Sequence, residues 1–108
     1  MEDQEFRARA DEALNDLYGR LSAASDRHGF EADFNSGALA IEFDESPAKF
    51  VISPNSPVRQ IWVSAHSRSF KLDWDPALRA FVLPSSGQTL AEMIGEAIGQ
   101  QLGESVSL

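Results

Sequence analysis

The chain has no cysteine among its 108 residues. That absence excludes a disulfide framework, a thiolate metal site and a cysteine nucleophile, so any metal must meet oxygen or imidazole ligands. No apolar run approaches the ~18 residues that a membrane-spanning helix needs. The opening Met1-Glu2-Asp3 has neither the basic start and apolar stretch of a secretory leader nor an Arg-rich presequence pattern. A cytoplasmic protein without membrane association is therefore expected. No glycine-rich loop precedes a helix, and no Ser, His and Asp arrangement or cleft-type carboxylate pair stands out, so neither phosphate binding nor an enzyme is expected.

Basic residues are scarce too, with nine Lys and Arg against seventeen Asp and Glu and a formal net charge of −8. The acidic excess is local. Residues 1–45 carry twelve acidic side chains against Arg7, Arg9, Arg20 and Arg27. Residues 46–79 reverse the balance, with Lys49, Arg59, Arg68, Lys71 and Arg79 against Asp73 and Asp75. A field of that sign repels nucleic acid and anionic lipid and draws in metal cations or a basic protein surface. With 43% hydrophobic residues, a chain of this length is expected to form one domain, residues 1–108, with an ordinary core.

Phe6, Ala10, Ala13, Leu14, Leu17, Leu21 and Ala24 recur at spacings of three and four, which predicts an amphipathic helix over 5–24. From Gly29 to Leu83 short apolar runs are broken by turn residues, which predicts strands at 31–35, 38–43, 49–53, 60–65, 69–74 and 79–83. Asn35-Ser36-Gly37 suits a tight hairpin turn between the first two. Leu39, Ile41 and Phe43, and likewise Ile61 and Val63, alternate with smaller or polar residues, so one sheet face is apolar. Thr89 with Glu92 three residues on forms a capping box ahead of Leu90, Met93, Ile94, Ala97, Ile98 and Leu102. The order helix, strands, helix predicts an α+β two-layer sandwich in which both helices cover one face of an antiparallel sheet of about six strands. The segment ending at Leu108 is expected to cover little of the groove between the helices.

Asn35-Ser36-Gly37-Ala38-Leu39, Ile52 followed by Asn55 and Pro57, and Gln60-Ile61-Trp62-Val63-Ser64 continued by Phe70-Lys71-Leu72-Asp73-Trp74 resemble the frataxins, specifically their bacterial branch. The resemblance extends from Phe6 to Gly103-Glu104-Ser105-Val106. It implies two helices on one side of an antiparallel sheet. It also implies a role in iron handling and iron–sulfur cluster assembly, as an iron-binding partner and regulator of the cysteine desulfurase and its scaffold protein. Ferrous or ferric iron would be bound weakly and transiently. The protein is expected to be a monomer unless iron induces oligomers, and ferroxidase activity, credited to some members, would at most be weak.

The family's iron site is an acidic ridge along the first helix and the edge of the first strand, and Asp11, Glu31 and Asp33 match it. Bacterial relatives commonly place further carboxylates on the last helical turns and the following loop, where this chain has Tyr18, Gly19, Ser22, Ala23 and Ser25. Glu12, Asp16 and Asp26 are the candidates to compensate, with Arg20 and Arg27 nearby to oppose a cation. Iron accepts carboxylate oxygen and water, and helix neighbours one turn apart can share an ion without a cage, which makes a shallow site suited to release. The plain alternative is a solvated acidic helix face. Trp62, flanked by inward Ile61 and Val63, is expected on the open sheet face as a partner anchor, with Asn55 and Gln60 as polar companions and the family's scaffold and desulfurase as the partners implied. Trp74 reads as structural, and His28 as the better accessory ligand of the two histidines. Beside the regulator stand two alternatives, an iron store or ferroxidase and an interaction module without metal.

Overall fold

A computed structural model describes all 108 residues. Helix α1 spans Asp3–Ser25, strands β1 to β6 span Phe30–Asn35, Ala38–Phe43, Lys49–Asn55, Gln60–Ala65, Arg68–Asp75 and Ala80–Val82, and helix α2 spans Leu90–Leu102. The strands lie in sequence order, β1-β2-β3-β4-β5-β6, and every neighbouring pair is antiparallel. Both helices cover one face, giving the two-layer sandwich expected from the element order.

The register explains why that face is the covered one. Phe30 pairs with Phe43, Ile41 with Phe50, Leu39 with Ile52, Ile52 with Val63, and Ile61 with Leu72. All nine side chains are buried, with the α1 stripe Phe6, Ala10, Leu14, Leu17, Leu21 and Ala24 and the α2 stripe Leu90, Met93, Ile94, Ala97 and Ile98 above them. Phe6 meets Phe81 edge-on at 5.9 Å, tying α1 to the far strand β6. The other sheet face takes the alternate residues, among them Glu31, Asp33, Trp62, Lys71 and Asp73.

Two local outcomes differ from expectation. Strand β3 continues through Pro54 and Asn55, two residues beyond the expected 49–53, before a 3-10 turn at Ser56–Val58. Pairing with β2 ends at Leu39 and Ile52, whereas pairing with β4 continues to Asn55 and Gln60, so beyond Ile52 one side of β3 is an edge. A proline with no N–H to donate is tolerated there. At the start of α2 the capping box is formed: the Thr89 N–H donates to Glu92 Oε1 at 2.9 Å, and the Glu92 N–H donates to Thr89 Oγ1 at 3.3 Å. This satisfies donors that a helix start otherwise leaves unpaired.

The second difference is the C-terminal segment, which packs closely where little coverage was expected. Val106 and Leu108 are half-buried against the core. The main chain lies so near α2 that a Cβ on Gly99 would sit 2.7 Å from the Glu104 carbonyl oxygen, and one on Gly95 3.2 Å from that of Val106. Glycine is therefore required on that stripe by close backbone approach. Arg20 Nη1 donates to the Leu108 oxygen at 3.2 Å, and His28 Nδ1 pairs with the Glu104 carboxylate.

Gly19 and Gly99 thus predict opposite signs for one substitution. Gly19 has nothing within 4 Å of a Cβ, so Gly19→Ala stabilises by about 0.5–1 kcal/mol through helix propensity alone. Gly99→Ala gains the same propensity but displaces the C-terminal segment, at an overpacking cost of about 1–3 kcal/mol. Thermal unfolding is expected to show a higher Tm for the first and a lower Tm for the second.

Candidate functional site

Helix α1 divides its three candidate carboxylates, Asp11, Glu12 and Asp16, by angle. The core stripe leaves two flanks, and residues seven apart lie two turns apart on the same one. Asp11 shares its flank with Tyr18, whose ring packs on Phe34 of β1 at 5.2 Å, so Asp11 belongs to the β1 side. Glu12 and Asp16 lie on the other flank, in a cleft of about 480 Å³ with Trp74, Arg79 and the start of α2. There each meets an arginine: Asp16 Oδ2 accepts from Arg20 Nε at 2.8 Å, and Glu12 lies 3.6 Å from Arg9. These are pairs one turn apart on a helix, and their charge is locally compensated. Asp26 lies beyond the last turn of α1, as its C-cap.

On the sheet, Glu31 and Asp33 occupy the open face of β1, which is the edge strand. Glu31 stands directly opposite Glu42, which in turn stands opposite Lys49. Two carboxylates opposite one another on neighbouring strands repel. Asp11, Glu31 and Asp33 are exposed, and none has a Lys, Arg or His nitrogen within 4.0 Å. No three His, Asp or Glu side chains converge closely enough to hold a metal ion. The oxygen donors suit iron, but they are spread along an edge and form no cage. Of the six candidates, Asp11, Asp26, Glu31 and Asp33 are exposed without a cationic partner, Asp11, Glu31 and Asp33 on the α1–β1 edge and Asp26 past the end of α1, while Glu12 and Asp16 serve arginines elsewhere.

Trp62 lies on the open face as expected, 37% exposed. Its indole N–H donates to Gln60 Oε1 at 3.0 Å, and Gln60 Nε2 donates to Asp73 Oδ1 at 2.9 Å. Lys71, directly opposite Trp62 on β5, places Nζ 5.0 Å from the ring centroid. Asn55 is the cross-strand neighbour of Gln60. The network holds the indole in one orientation and leaves part of the ring open. Lys71 and Asp73 are not among the companions of Trp62 expected from sequence, although the two-residue turn His66-Ser67, both at positive φ, fixes a register that sets Trp62 against Lys71 and Gln60 against Asp73. Trp74 is structural: it meets Phe81 at 5.2 Å, with the Arg9 guanidinium 5.4 Å from its ring centroid. Neither histidine joins the acidic edge, since His28 holds Glu104 and His66 Nε2 donates to the Ala97 carbonyl at 3.1 Å.

A two-helix, six-strand sandwich with an uncompensated acidic edge and a tethered tryptophan on its bare sheet face defines the class. A family model described as a frataxin-like domain matches residues 1–104, and the chain belongs to that family. It is 28% identical over 99 residues to the iron–sulfur cluster assembly protein CyaY of Azotobacter vinelandii, covering 90% of this chain and 89% of that one. It is 30% identical over 95 residues to the protein of the same name from Pseudomonas putida, covering 86% and 79%. Among solved structures, the frataxin of Psychromonas ingrahamii superposes with a TM-score of 0.78 at 25% identity, over 99% of this chain and 97% of that one.

The two tryptophans are predicted to respond differently to truncation. Trp74→Ala removes a ring packed on Phe81 and Arg9 and is expected to cost about 3 kcal/mol of stability. Trp62→Ala, on the open face, is expected to cost about 1 kcal/mol or less. Denaturant unfolding of the two variants measures both.

Proposed function

We propose that the protein serves iron–sulfur cluster assembly as a docking regulator without a reaction of its own. Its acidic α1–β1 edge meets a basic surface of the cysteine desulfurase, and its open face, centred on Trp62, meets the scaffold protein. The observation that carries this reading is the separation of the carboxylates: Asp11, Glu31 and Asp33 remain exposed and unpaired while Glu12 and Asp16 are tied to arginines. Uncompensated charge of one sign on a sheet edge speeds and orients association with a surface of opposite sign. The names of the relatives supply the pathway. A tethered, partly exposed tryptophan is the kind of side chain that anchors protein interfaces.

Ferrous iron is the cargo of the same edge in this reading. Dispersed carboxylates with water completing the coordination hold such an ion loosely, which suits transfer and disfavours storage. The lack of a converging three-ligand cluster supports a carrier or a pure docking role over an iron store.

Calorimetric titration with the cysteine desulfurase at two salt concentrations tests the proposal. The affinity is expected to fall as salt rises, because exposed charges are screened. Asp11→Asn, Glu31→Gln and Asp33→Asn are each expected to weaken binding about two- to fivefold, whereas Glu12→Gln and Asp16→Asn change it less than about twofold. A salt-insensitive complex, or none, refutes the docking role. For the cargo, ferrous ion added anaerobically to labelled protein is expected to broaden the amide signals of Asp11, Glu31 and Asp33 ahead of those of Glu12 and Asp16. Equal broadening across both flanks refutes iron carriage by the β1 edge.

A further inference from the structure

We propose that Tyr18 and Phe34 form an aromatic anchor that receives arginine side chains from a basic partner protein at the α1–β1 edge. The proposal rests on the docking role above and adds to it two residues and a recognition chemistry. Phe34 is on the helix-facing side of β1, opposite the fully buried Leu39, yet it is 43% exposed. It is the one exposed phenylalanine of seven. The Tyr18 ring lies 5.2 Å away with a 40° tilt, so the two rings form one aromatic surface across the seam between helix and strand.

The surroundings select the ligand. Asp11 lies on the Tyr18 flank two turns earlier, about 10 Å along the helix axis, and Asp33, next to Phe34 on the edge strand, faces the open side of the sheet. Neither has a cationic partner, while Arg7, one turn before Asp11, is engaged with Asp3 at 3.0 Å. The uncompensated carboxylates of this edge draw in a cation, and a guanidinium is the cation whose planar group stacks on an aromatic face. An ammonium stacks less well and cannot donate in a planar fork. A nucleic acid or an anionic membrane is excluded by the same carboxylates. The occupant is therefore an arginine-bearing protein surface.

The test uses the intact chain and two blocked peptides, tetra-arginine and tetra-lysine, followed by the cysteine desulfurase. With the arginine peptide, the ring proton signals of Tyr18 and Phe34 are expected to move more than with the lysine peptide at equal concentration. Phe34→Leu retains an apolar side chain and the fold, checked by its Tm, and is expected to weaken desulfurase binding about fivefold. Tyr18→Phe keeps the ring and is expected to bind within about twofold of the parent. Equal ring shifts with both peptides, or desulfurase affinity unchanged in Phe34→Leu, overturn the anchor and leave the acidic docking role intact. Arginine-specific ring shifts without any desulfurase complex overturn the desulfurase as partner and support the anchor for another basic protein.

Discussion

Alternation of apolar side chains onto one face of six consecutive antiparallel strands is the constraint on which the molecule depends. With a side-chain period of two, a one-residue slip in any strand would carry its buried set to solvent and its polar set into the core. Phe30, Leu39, Ile41, Phe50, Ile52, Ile61, Val63 and Leu72 all share the covered face, so a slip in β2, β3 or β4 loses at least two buried side chains at about 1.5–3 kcal/mol each. The register is thereby fixed by the core alone. The residues between those positions are then presented on the open face at set places. Asp33, Trp62, Lys71 and Asp73 are positioned by a core they do not join.

This division explains what was legible in the sequence. The strands and helices were readable because periods of 2 and 3.6 are carried by apolar residues, and the α2 start because Thr89 and Glu92 act locally. The placement of Trp62 followed from the same alternation. What escaped depends on pairs distant in sequence. Whether Asp16 is free is decided by Arg20 one turn on, but that it faces a cleft with Trp74 and Arg79 is decided by the packing of α1 on β6. The need for glycine at Gly95 and Gly99 is set by the main chain of Glu104 and Val106, which is outside the helix. Continuation of β3 through Pro54 required the knowledge that β2 had already ended.

The candidate site also shows where local rules are broken. Glu31 faces Glu42 across a strand pair, Phe34 stays exposed on an otherwise covered face, and Asp11, Glu31 and Asp33 have no cationic partner in a chain of net charge −8. Each is unfavourable or neutral for the isolated fold. They converge on one edge of the molecule, on α1 and β1, while the opposite flank of α1 has its acids neutralised by Arg9 and Arg20. Sequences that fold well are consistent across levels, and departures concentrate at functional sites.

The departures also bear on how iron and a partner would share that edge under the proposed function. A cage of three or more carboxylates would hold the ion in fixed geometry and would have to be dismantled for release. The dispersed set retains only long-range attraction, which falls with salt and vanishes once a basic surface neutralises it. A partner that docks on Asp11, Glu31 and Asp33 therefore lowers their affinity for a cation by the act of binding. By linkage, a bound cation weakens the partner by the same factor. Under the proposed function, delivery and docking are two states of one acidic edge, and the proposed aromatic anchor beside it would supply contacts that survive when the charges are neutralised.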